Sequence, residues 1–396
     1  MHDVAAHLAD RVLPWVAHRQ WVASFPRYVR YQLARDSELL GNVLRGFLHI
    51  VFSWQRRRAR KQGISDGRCG AVTFIQRFGG FVNLNVHFHA LVPDGVFVRD
   101  THGMGGERQR PRFIALDPPT DDEIARLTDR LMRRVAKTLA RHHDENAGDD
   151  QEMDALAQAQ ATSVQTTFLP NQTRLHRSEL DRTATRPTAK RSAFIAGYSL
   201  HANVRIHKND REGLERLCRY GLRPAFALER LSWTPSGQIE YQFKRPAPSG
   251  ATRMICAPVD FLAKLATLIP PPRKHLTRYH GVFAPNHPWR PDIVPGAPPD
   301  SGAPGKGSQD SSPPVEPTQQ HERVPATVLA RRLDWAALML RVFAIDVLQC
   351  PRCTGRMRVI ALITEPTVIR RVLDHVSMFE DSRAPPAPHA DGIDHR

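Results

Sequence analysis

The sequence predicts an α+β fold in which a central antiparallel sheet is flanked by helices. Apolar residues recur at helical spacing over residues 38–54 and again over 120–141. From Gly70 the pattern changes to alternating strands joined by turns that contain glycine. The N-terminal stretch 4–62 is expected to be helical, and a small C-terminal module is expected to begin with a helix.

Changes in composition divide the chain into five predicted segments. They are a basic helical region at 1–65, a sheet-containing domain at 66–290 with a loop insertion at 144–190, a disordered Pro-, Gly- and Ser-rich linker at 291–325, a small module at 326–378 and a disordered tail at 379–396.

The charge balance points to a polyanionic partner. The chain of 396 residues carries 56 Lys and Arg against 40 Asp and Glu, a net charge of +16. A protein this basic usually meets nucleic acid, although a generally basic composition is the alternative explanation. The cations expected to bind DNA are Arg56, Arg57, Arg58, Arg60, Lys61, Arg216, Arg219 and Arg223.

Other features of the composition concern the compartment. No run of about 18 apolar residues predicts a transmembrane helix, and the N-terminus lacks the pattern of a secretory signal. Five cysteines, an odd number in a long chain, favour a reducing cytoplasm over a disulfide scaffold. We therefore expect a cytoplasmic protein with no membrane partner.

Aromatic residues alternate with arginines near the N-terminus. Trp21, Phe25, Tyr28 and Tyr31 could form a surface on which bases stack. Their helical spacing favours ordinary core aromatics instead.

The run from Asn83 to Val92 predicts a strand with a pair of histidines on one face. Its apolar residues alternate with His87 and His89, so both imidazoles project the same way, about 7 Å apart. Such a pair can bind one divalent cation, and two half-exposed histidines on a sheet face are the alternative. A hairpin loop with an even number of residues would place Gln76 on the same face, as a third ligand or as a group that orients a ligand.

A cation beside nucleic acid polarises a phosphodiester, and a tyrosine is well suited to attack it. Tyr220 ends a predicted helix closed by Gly221, and Arg219 and Arg223 would favour its phenolate and hold phosphates. A tyrosine that only packs the helix end against the core is the alternative. Tyr279, which also has basic neighbours, is the second candidate nucleophile.

Cys350 and Cys353 have the spacing of a zinc-ribbon knuckle. A zinc site needs four ligands, so a second cysteine pair from another chain or His375 would have to complete it. Without those ligands the pair binds no Zn²⁺.

Together these segments resemble the rolling-circle insertion-sequence transposases of the HUH endonuclease superfamily, particularly the ISCR-like branch. The segments that carry the resemblance are 19–22 (RQWV), 75–79 (IQRFG), 83–89 (NLNVHFH), 94–97 (DGVF), 199–202 (SLHA), 217–220 (LCRY), 278–281 (RYHG) and 350–353 (CPRC).

The resemblance implies an HUH-like fold and an enzyme that nicks one DNA strand and joins itself to the 5′ phosphate. His87 and His89 would bind Mg²⁺ or Mn²⁺, and Tyr220 would be the nucleophile. Some relatives carry Tyr-x-x-x-Tyr, but Arg216 stands at the first of these positions, which implies a single-tyrosine version. Relatives also carry a cysteine-rich zinc-binding segment before the point matching Met1, and its absence predicts a truncated chain with altered recognition of DNA ends.

The predicted partners are single-stranded or melted DNA, at the element ends and at the target, near the bacterial nucleoid. A homodimer is left open. A plasmid replication initiator or relaxase would use the same chemistry, and a decayed transposase would bind DNA without cutting it.

Overall fold

The computed structural model describes residues 1–99, 110–145, 155–165, 190–247, 249–295, 335–358, 363 and 365–377. Its contacts divide the chain into two units, Met1–Arg332 and Leu333–Arg396. The predicted linker at 291–325 and tail at 379–396 lie almost entirely outside the described residues. The first unit contains both the predicted basic region and the sheet-containing domain.

The described helices and strands alternate irregularly along the chain, as expected for an α+β fold. The helices are α1 (His2–Arg11), α2 (Arg27–Arg35), α3 (Ser37–Lys61), α4 (Asp121–Glu145), α5 (Ala155–Gln165), α6 (Arg211–Leu222), α7 (Pro258–Leu268), α8 (Arg290–Ile293), α9 (Trp335–Phe343) and α10 (Pro366–Ser377). The strands are β1 (His18–Ser24), β2 (Gly70–Phe78), β3 (Leu84–Pro93), β4 (Gly95–Val98), β5 (Arg112–Ala115), β6 (Ser192–Ile195), β7 (Tyr198–His201), β8 (Arg205–Ile206), β9 (Leu231–Trp233), β10 (Ile239–Gln242), β11 (Arg253–Cys256) and β12 (Thr277–Gly281).

The main sheet has the order β12-β2-β3-β1-β7-β6, with β8 paired to β1. The pairings within it are antiparallel. Helices flank this sheet, so the predicted α+β architecture is confirmed. The strand with the histidine pair, β3, lies between β2 and β1 and is therefore held on both edges.

The prediction that the whole of 4–62 is helical is wrong for one segment. Residues His18–Ser24 form β1, which pairs with β3 so that Trp21 lies opposite Ala90. The spacing of four between Trp21 and Phe25 fits a helix, but it also fits two repeats of a strand. Pairing with β3 decides for the strand. Trp21 and Phe25 lie in the core as the preferred interpretation expected, but Tyr28 is 59% exposed and does not.

The predicted meander is also wrong, because β4 does not continue the main sheet. It leaves after Asp94 and pairs with β5 in a separate two-stranded ladder. The second neighbour of β3 is β1, which precedes it by about 60 residues in the chain. A pairing so distant in sequence leaves no local pattern for a sequence-based prediction to detect.

Two further segments differ from expectation. The stretch 193–206, expected as one strand, is broken at Ala196 (φ 49°) and Gly197 (φ 83°), which join β6 and β7 as a tight hairpin. In the insertion at 144–190, expected as a loop, residues Ala155–Gln165 form α5. Its alanine and glutamine residues favour a helix, although it lacks the strong amphipathic pattern by which helices are recognised.

The two faces of the main sheet pack against different helices. Residues such as Ile75, Val86 and Phe88 pack in one core cluster with residues of α2, α3 and α4. Val72, Phe74 and Leu91 point to the opposite face and pack with residues of α1 and α6. Since successive residues of a strand alternate between faces, His87 and His89 lie on the α1/α6 face.

A buried ion cluster fixes the end of β3 to β1. Arg19, 1% exposed, donates from Nε and Nη2 to the two carboxylate oxygens of Asp94, each at 2.8 Å. Arg205 donates to the same carboxylate at 3.1 Å from β8. A bidentate pair of this kind fixes both direction and register, so the cluster holds β3 in the position that presents the histidines.

Candidate functional site

The structure places the two histidines of β3 side by side on the α1/α6 face. The ring centroids of His87 and His89 are 4.9 Å apart, and the residues are 9% and 4% exposed. The ring of Tyr220, at the end of α6, meets His89 edge-on at a centroid distance of 5.5 Å. Tyr220 itself is 44% exposed, so its ring contacts a buried histidine on one side and solvent on the other.

Both imidazoles are held in the neutral form. Burial is the main cause that lowers the pKa of His87 to about 4, and the charges of Arg30 and Arg223 act in the same direction. Burial, followed by the neighbouring His87 and Arg223, lowers the pKa of His89 to about 3. Neutral imidazole is the form in which histidine binds a metal ion.

Gln76 lies directly opposite His87 in the pairing of β2 with β3. Its amide Nε2 donates to the backbone oxygens of Tyr220 at 2.9 Å and Gly221 at 3.2 Å. Its Oε1 is buried and has no hydrogen-bond partner among the described residues. Gln76 therefore ties the end of α6 to the sheet and leaves one buried acceptor beside the histidines.

The end of α6 reaches the sheet because residue 221 is a glycine. A Cβ at Gly221 would lie 2.4 Å from a ring carbon of Phe74, which is too close for any side chain. The absence of a side chain lets α6 approach β2 until Gln76 reaches its last carbonyls.

The structure also brings in a residue that the sequence analysis missed. Gln20 Nε2 lies 3.0 Å from His89 Nδ1, and Gln20 is 5% exposed. Gln20 comes from β1, on which Val22 is the direct partner of His89. The signal was the alternation of Trp21, Ala23 and Phe25, which puts Gln20 and Val22 on the opposite face of a strand.

The predicted DNA-binding arginines on α6 and at its C-cap, Arg216, Arg219 and Arg223, lie in three different environments. The Arg223 guanidinium carbon is 4.3 Å from the Tyr220 ring centroid, and its Nε is buried without a hydrogen-bond partner among the described residues. Arg219 lies near the start of α1. Burial, followed by the positive charge of Arg219, lowers the pKa of His2 there. Arg216 is exposed and pairs with Glu212 at 3.7 Å.

The second candidate nucleophile, Tyr279, is not in ring contact with the histidines. It lies on β12, which β2 separates from β3, and its direct partner is Val72. Its ring lies 5.6 Å from the Arg290 guanidinium carbon, and burial raises the pKa of its phenol. On geometry, Tyr220 is the better candidate.

The donor atoms of the site fit a divalent cation with neutral ligands. His89 Nε2 and Gln76 Oε1 are buried without hydrogen-bond partners among the described residues. His87 Nδ1 lies 2.8 Å from the Asn85 backbone oxygen, which leaves its Nε2 as the ligand atom. Within the described ranges no three His, Cys, Asp or Glu side chains come together to hold a metal ion, so the amide of Gln76 is the third donor that the site offers.

A comparison with protein families identifies the kind of protein to which this site belongs. A family model described as "Putative transposase" matches residues 70–290, which is more than half of the chain. The chain belongs to this transposase family. No curated protein and no solved structure matches it.

The match covers the central residues of the candidate site in this transposase. Gln76, His87, His89 and Tyr220 lie within residues 70–290, whereas Gln20 and the CxxC pair lie outside them. No helix of the described residues is long and apolar enough to cross a membrane.

The CxxC pair of the transposase lies in the second unit, in a tight turn. The Cys350 N–H donates to the Gly355 oxygen and the Thr354 N–H donates to the Cys350 oxygen, each at 2.9 Å. Backbone N–H groups of Arg352 and Cys353 lower the pKa of the Cys350 thiol. Such a turn fits a zinc knuckle, but the described residues provide only these two cysteine ligands at the turn. Zn²⁺ binding therefore stays a prediction.

Proposed function

We propose that this transposase nicks and rejoins single-stranded DNA through a 5′-phosphotyrosine bond on Tyr220, in support of rolling-circle transposition. The observation that carries the proposal is the edge-on contact of Tyr220 with His89, beside His87 and Gln76. A nucleophile, a set of buried donor atoms and a cationic side chain thus meet at one point of the surface. Membership of a transposase family favours this outcome over plasmid initiation.

The reaction requires one bond to form and one to break at phosphorus. The Tyr220 oxygen attacks the scissile phosphate and forms the O–P bond, and the bond from phosphorus to the 3′ oxygen breaks. The tyrosine proton passes to solvent, and the leaving 3′ oxygen takes up a proton to become a hydroxyl. The energy of the broken bond is conserved in the phosphotyrosine, so a 3′-hydroxyl at the target can reverse the step.

The side chains around Tyr220 prepare this attack. Gln76 holds the backbone of Tyr220 through its two hydrogen bonds, and the His89 ring limits the directions in which the phenol ring can turn. Arg223 packs on the phenol ring, and its guanidinium can donate to a phosphate oxygen bound beside Tyr220. These contacts fix the nucleophile before the substrate arrives, which lowers the entropic part of the barrier.

His87, His89 and Gln76 are the residues that would hold Mg²⁺ or Mn²⁺. A cation held there would withdraw charge from the scissile phosphate. Because all three ligands are neutral, we expect weak binding of the cation by the protein alone, since the anionic oxygens come from the DNA.

The test uses labelled single-stranded oligonucleotides that cover both strands of the DNA on either side of the gene. The full chain is incubated with each one and Mn²⁺, and covalent adducts are resolved on a denaturing gel. We expect an adduct in the wild type and in Tyr279→Phe, and none in Tyr220→Phe. An adduct that persists in Tyr220→Phe would refute the assignment of the nucleophile.

The same experiment separates the proposal from a decayed transposase. A protein that only binds DNA retards the oligonucleotides on a native gel, with strong salt dependence, but gives no adduct in any variant. That result would overturn the proposed function.

A further inference from the structure

The predicted DNA-binding arginines do not form one surface. Arg219 is on α6 and Arg223 directly follows it, and α6 packs on the histidine face of the main sheet. The run Arg56–Lys61 is on α3, which packs on the opposite face. A nucleotide of the DNA bound at Tyr220 therefore cannot contact the arginines of α3 as well.

On that opposite face, α3 and α4 form a cationic groove. The two helices run antiparallel, since Arg58 donates to Glu123 at 2.8 Å and a Cβ at Gly46 would lie 3.1 Å from Arg134 Cγ. Between them is a groove of about 330 Å³. Five cationic residues line it. Arg58 is paired with Glu123, and we call the other four the groove cations: Arg57, Lys61, Arg126 and Arg130.

The groove cations outnumber the one acid in the groove lining, Glu123, whose charge interacts with Arg126 as well as with Arg58. Burial, followed by the charges of Arg130 and Arg60, lowers the pKa of Arg57. Glu123 is bonded to Arg58 and to the Thr120 N–H, and Asp129 pairs with Arg133 at 3.0 Å. An anion of high charge density would relieve this repulsion.

We propose that the α3/α4 groove binds the phosphate backbone of duplex DNA, as a second DNA site separate from the Tyr220 site. On each helix the groove cations are four residues apart, a span of about 6 Å, or about two base pairs, so they form a compact cluster that can contact neighbouring phosphates. The proposal depends on the family's action on DNA and not on the chemistry at Tyr220.

The groove favours a duplex over a single strand because it offers no exposed ring. Trp54, the aromatic side chain that lines it, is 6% exposed and is covered by the Arg58 guanidinium, 5.5 Å from its ring. Proteins that bind single strands usually stack bases on exposed aromatic side chains. Contacts to phosphates alone suit the more densely charged duplex.

The test compares three full-length variants with the wild type. The first replaces all four groove cations by alanine, and the second exchanges Arg for Lys and Lys for Arg at the same positions, which keeps the charge. The third removes four other exposed cations and is matched in net charge; its substitutions are Lys208→Ala, Lys244→Ala, Arg245→Ala and Lys274→Ala. Circular dichroism melting checks that all of them fold.

The measurement is fluorescence anisotropy of a duplex of about 20 base pairs and of a single strand of the same length, from about 50 to 200 mM NaCl. We expect the alanine variant of the groove to lose duplex affinity about tenfold or more and to lower the salt slope by about two to four. The charge-preserving variant and the matched control should keep most of both. Tyr220→Phe should bind the duplex like the wild type, whether or not the wild type forms an adduct.

Two outcomes would overturn the proposal. In one, the alanine variant of the groove and the matched control lose duplex affinity equally. In the other, the groove variant loses single-strand affinity as much as duplex affinity, which would show that the groove follows a single strand.

Discussion

At the scale of single residues, His89 shows how one hydrogen bond decides what a ring can bind. When Gln20 Nε2 donates to His89 Nδ1, the ring proton is on Nε2, which is buried without a partner among the described residues. A half-turn of the Gln20 amide presents its Oε1 instead, and His89 Nδ1–H then donates to it. The lone pair of Nε2 is then free for a cation, as in other histidine ligands oriented by an acceptor.

We therefore expect Gln20 to control cation affinity through the tautomer of His89. Gln20→Leu removes the acceptor and should weaken Mn²⁺ binding about tenfold or more. Gln20→Glu offers only acceptor oxygens, so it should bind Mn²⁺ at least as well as the wild type. The Mn²⁺ concentration that gives half-maximal adduct formation, measured for the wild type and each variant with the oligonucleotide present, checks both.

Gln62→Leu, at an exposed position after α3, is the matched control and should bind like the wild type. Wild-type affinity in Gln20→Leu would show that Gln20 has no such role.

The residues of the site were predictable to different degrees. The histidine pair and the shared face of Gln76 follow from the period of a strand, which depends only on local sequence. The place of Gln20 does not, because it depends on β1 pairing with β3 across more than 60 residues.

At the scale of elements, the contact between α6 and β2 sets the position of Tyr220. The helix begins at the side-chain cap of Asp210, which accepts the Gly213 N–H at 2.7 Å. It ends against Phe74, with Gly221 at the point of closest approach. The two ends together fix the height of Tyr220 above the sheet.

Gly221→Ala should move the end of α6 away from β2. The added methyl group overlaps the Phe74 ring, and a shift of α6 breaks the hydrogen bonds from Gln76. We expect a loss of about 1 to 3 kcal/mol in the free energy of unfolding. A displacement of about 1 Å at Tyr220 should reduce the adduct rate about tenfold to a hundredfold.

Urea denaturation and the adduct gel, at a temperature where the variant is folded, measure these effects. Gly80→Ala is the control, because a Cβ there meets no atom within 4 Å. A Gly221→Ala protein with wild-type adduct rate would contradict the role of close approach.

Elements with a strong local period were predicted well, and those without one were not. The helix predicted over 120–141 forms as α4 and begins with a capping box, in which the Thr120 N–H donates to the Glu123 side chain and the Glu123 N–H donates to the Thr120 side chain. By contrast, α5 has little amphipathic pattern and β1 has a spacing that also fits a helix. Pairing within the sheet decided β1, and packing mainly against α2 and α7 decided α5.

At the scale of the whole molecule, the main sheet lies between two groups of arginines that the sequence suggested would act together on DNA. The proposed nicking site is on the α1/α6 face, and the proposed duplex groove is on the α3/α4 face. The net charge of +16 predicts a polyanionic partner. It does not predict that the cations lie on both faces of the main sheet.

The buried histidines should make the fold sensitive to acid. Burial lowers the pKa of His18 to about 3 and that of His280 to about 4, from an ordinary value of 6.5. Below about pH 6.5 the unfolded chain takes up protons that the folded chain does not, so the free energy of unfolding falls as the pH falls. Each such histidine contributes up to about 1.4 kcal/mol per pH unit.

Urea denaturation at about pH 7.5 and about pH 5.5 should show this loss of stability in the wild type. In His18→Gln the loss should be smaller by about 1.4 kcal/mol. His207→Gln, at an exposed position, should behave like the wild type. An equal loss in all three proteins would mean that His18 is not kept neutral by the fold.

The sequence by itself determined the α+β class, the histidine face of β3, the position of Tyr220 in the last turn of α6 and the basic character of the chain. These follow from periods, caps and charges, which are properties of neighbouring residues. Only the tertiary structure decided which tyrosine meets the histidines, that Gln20 reaches His89, and that the arginines divide between two faces. Those results depend on the pairing of distant strands and on which helix covers which face, and such contacts are decided by burial of the whole core and not by any local stretch of chain.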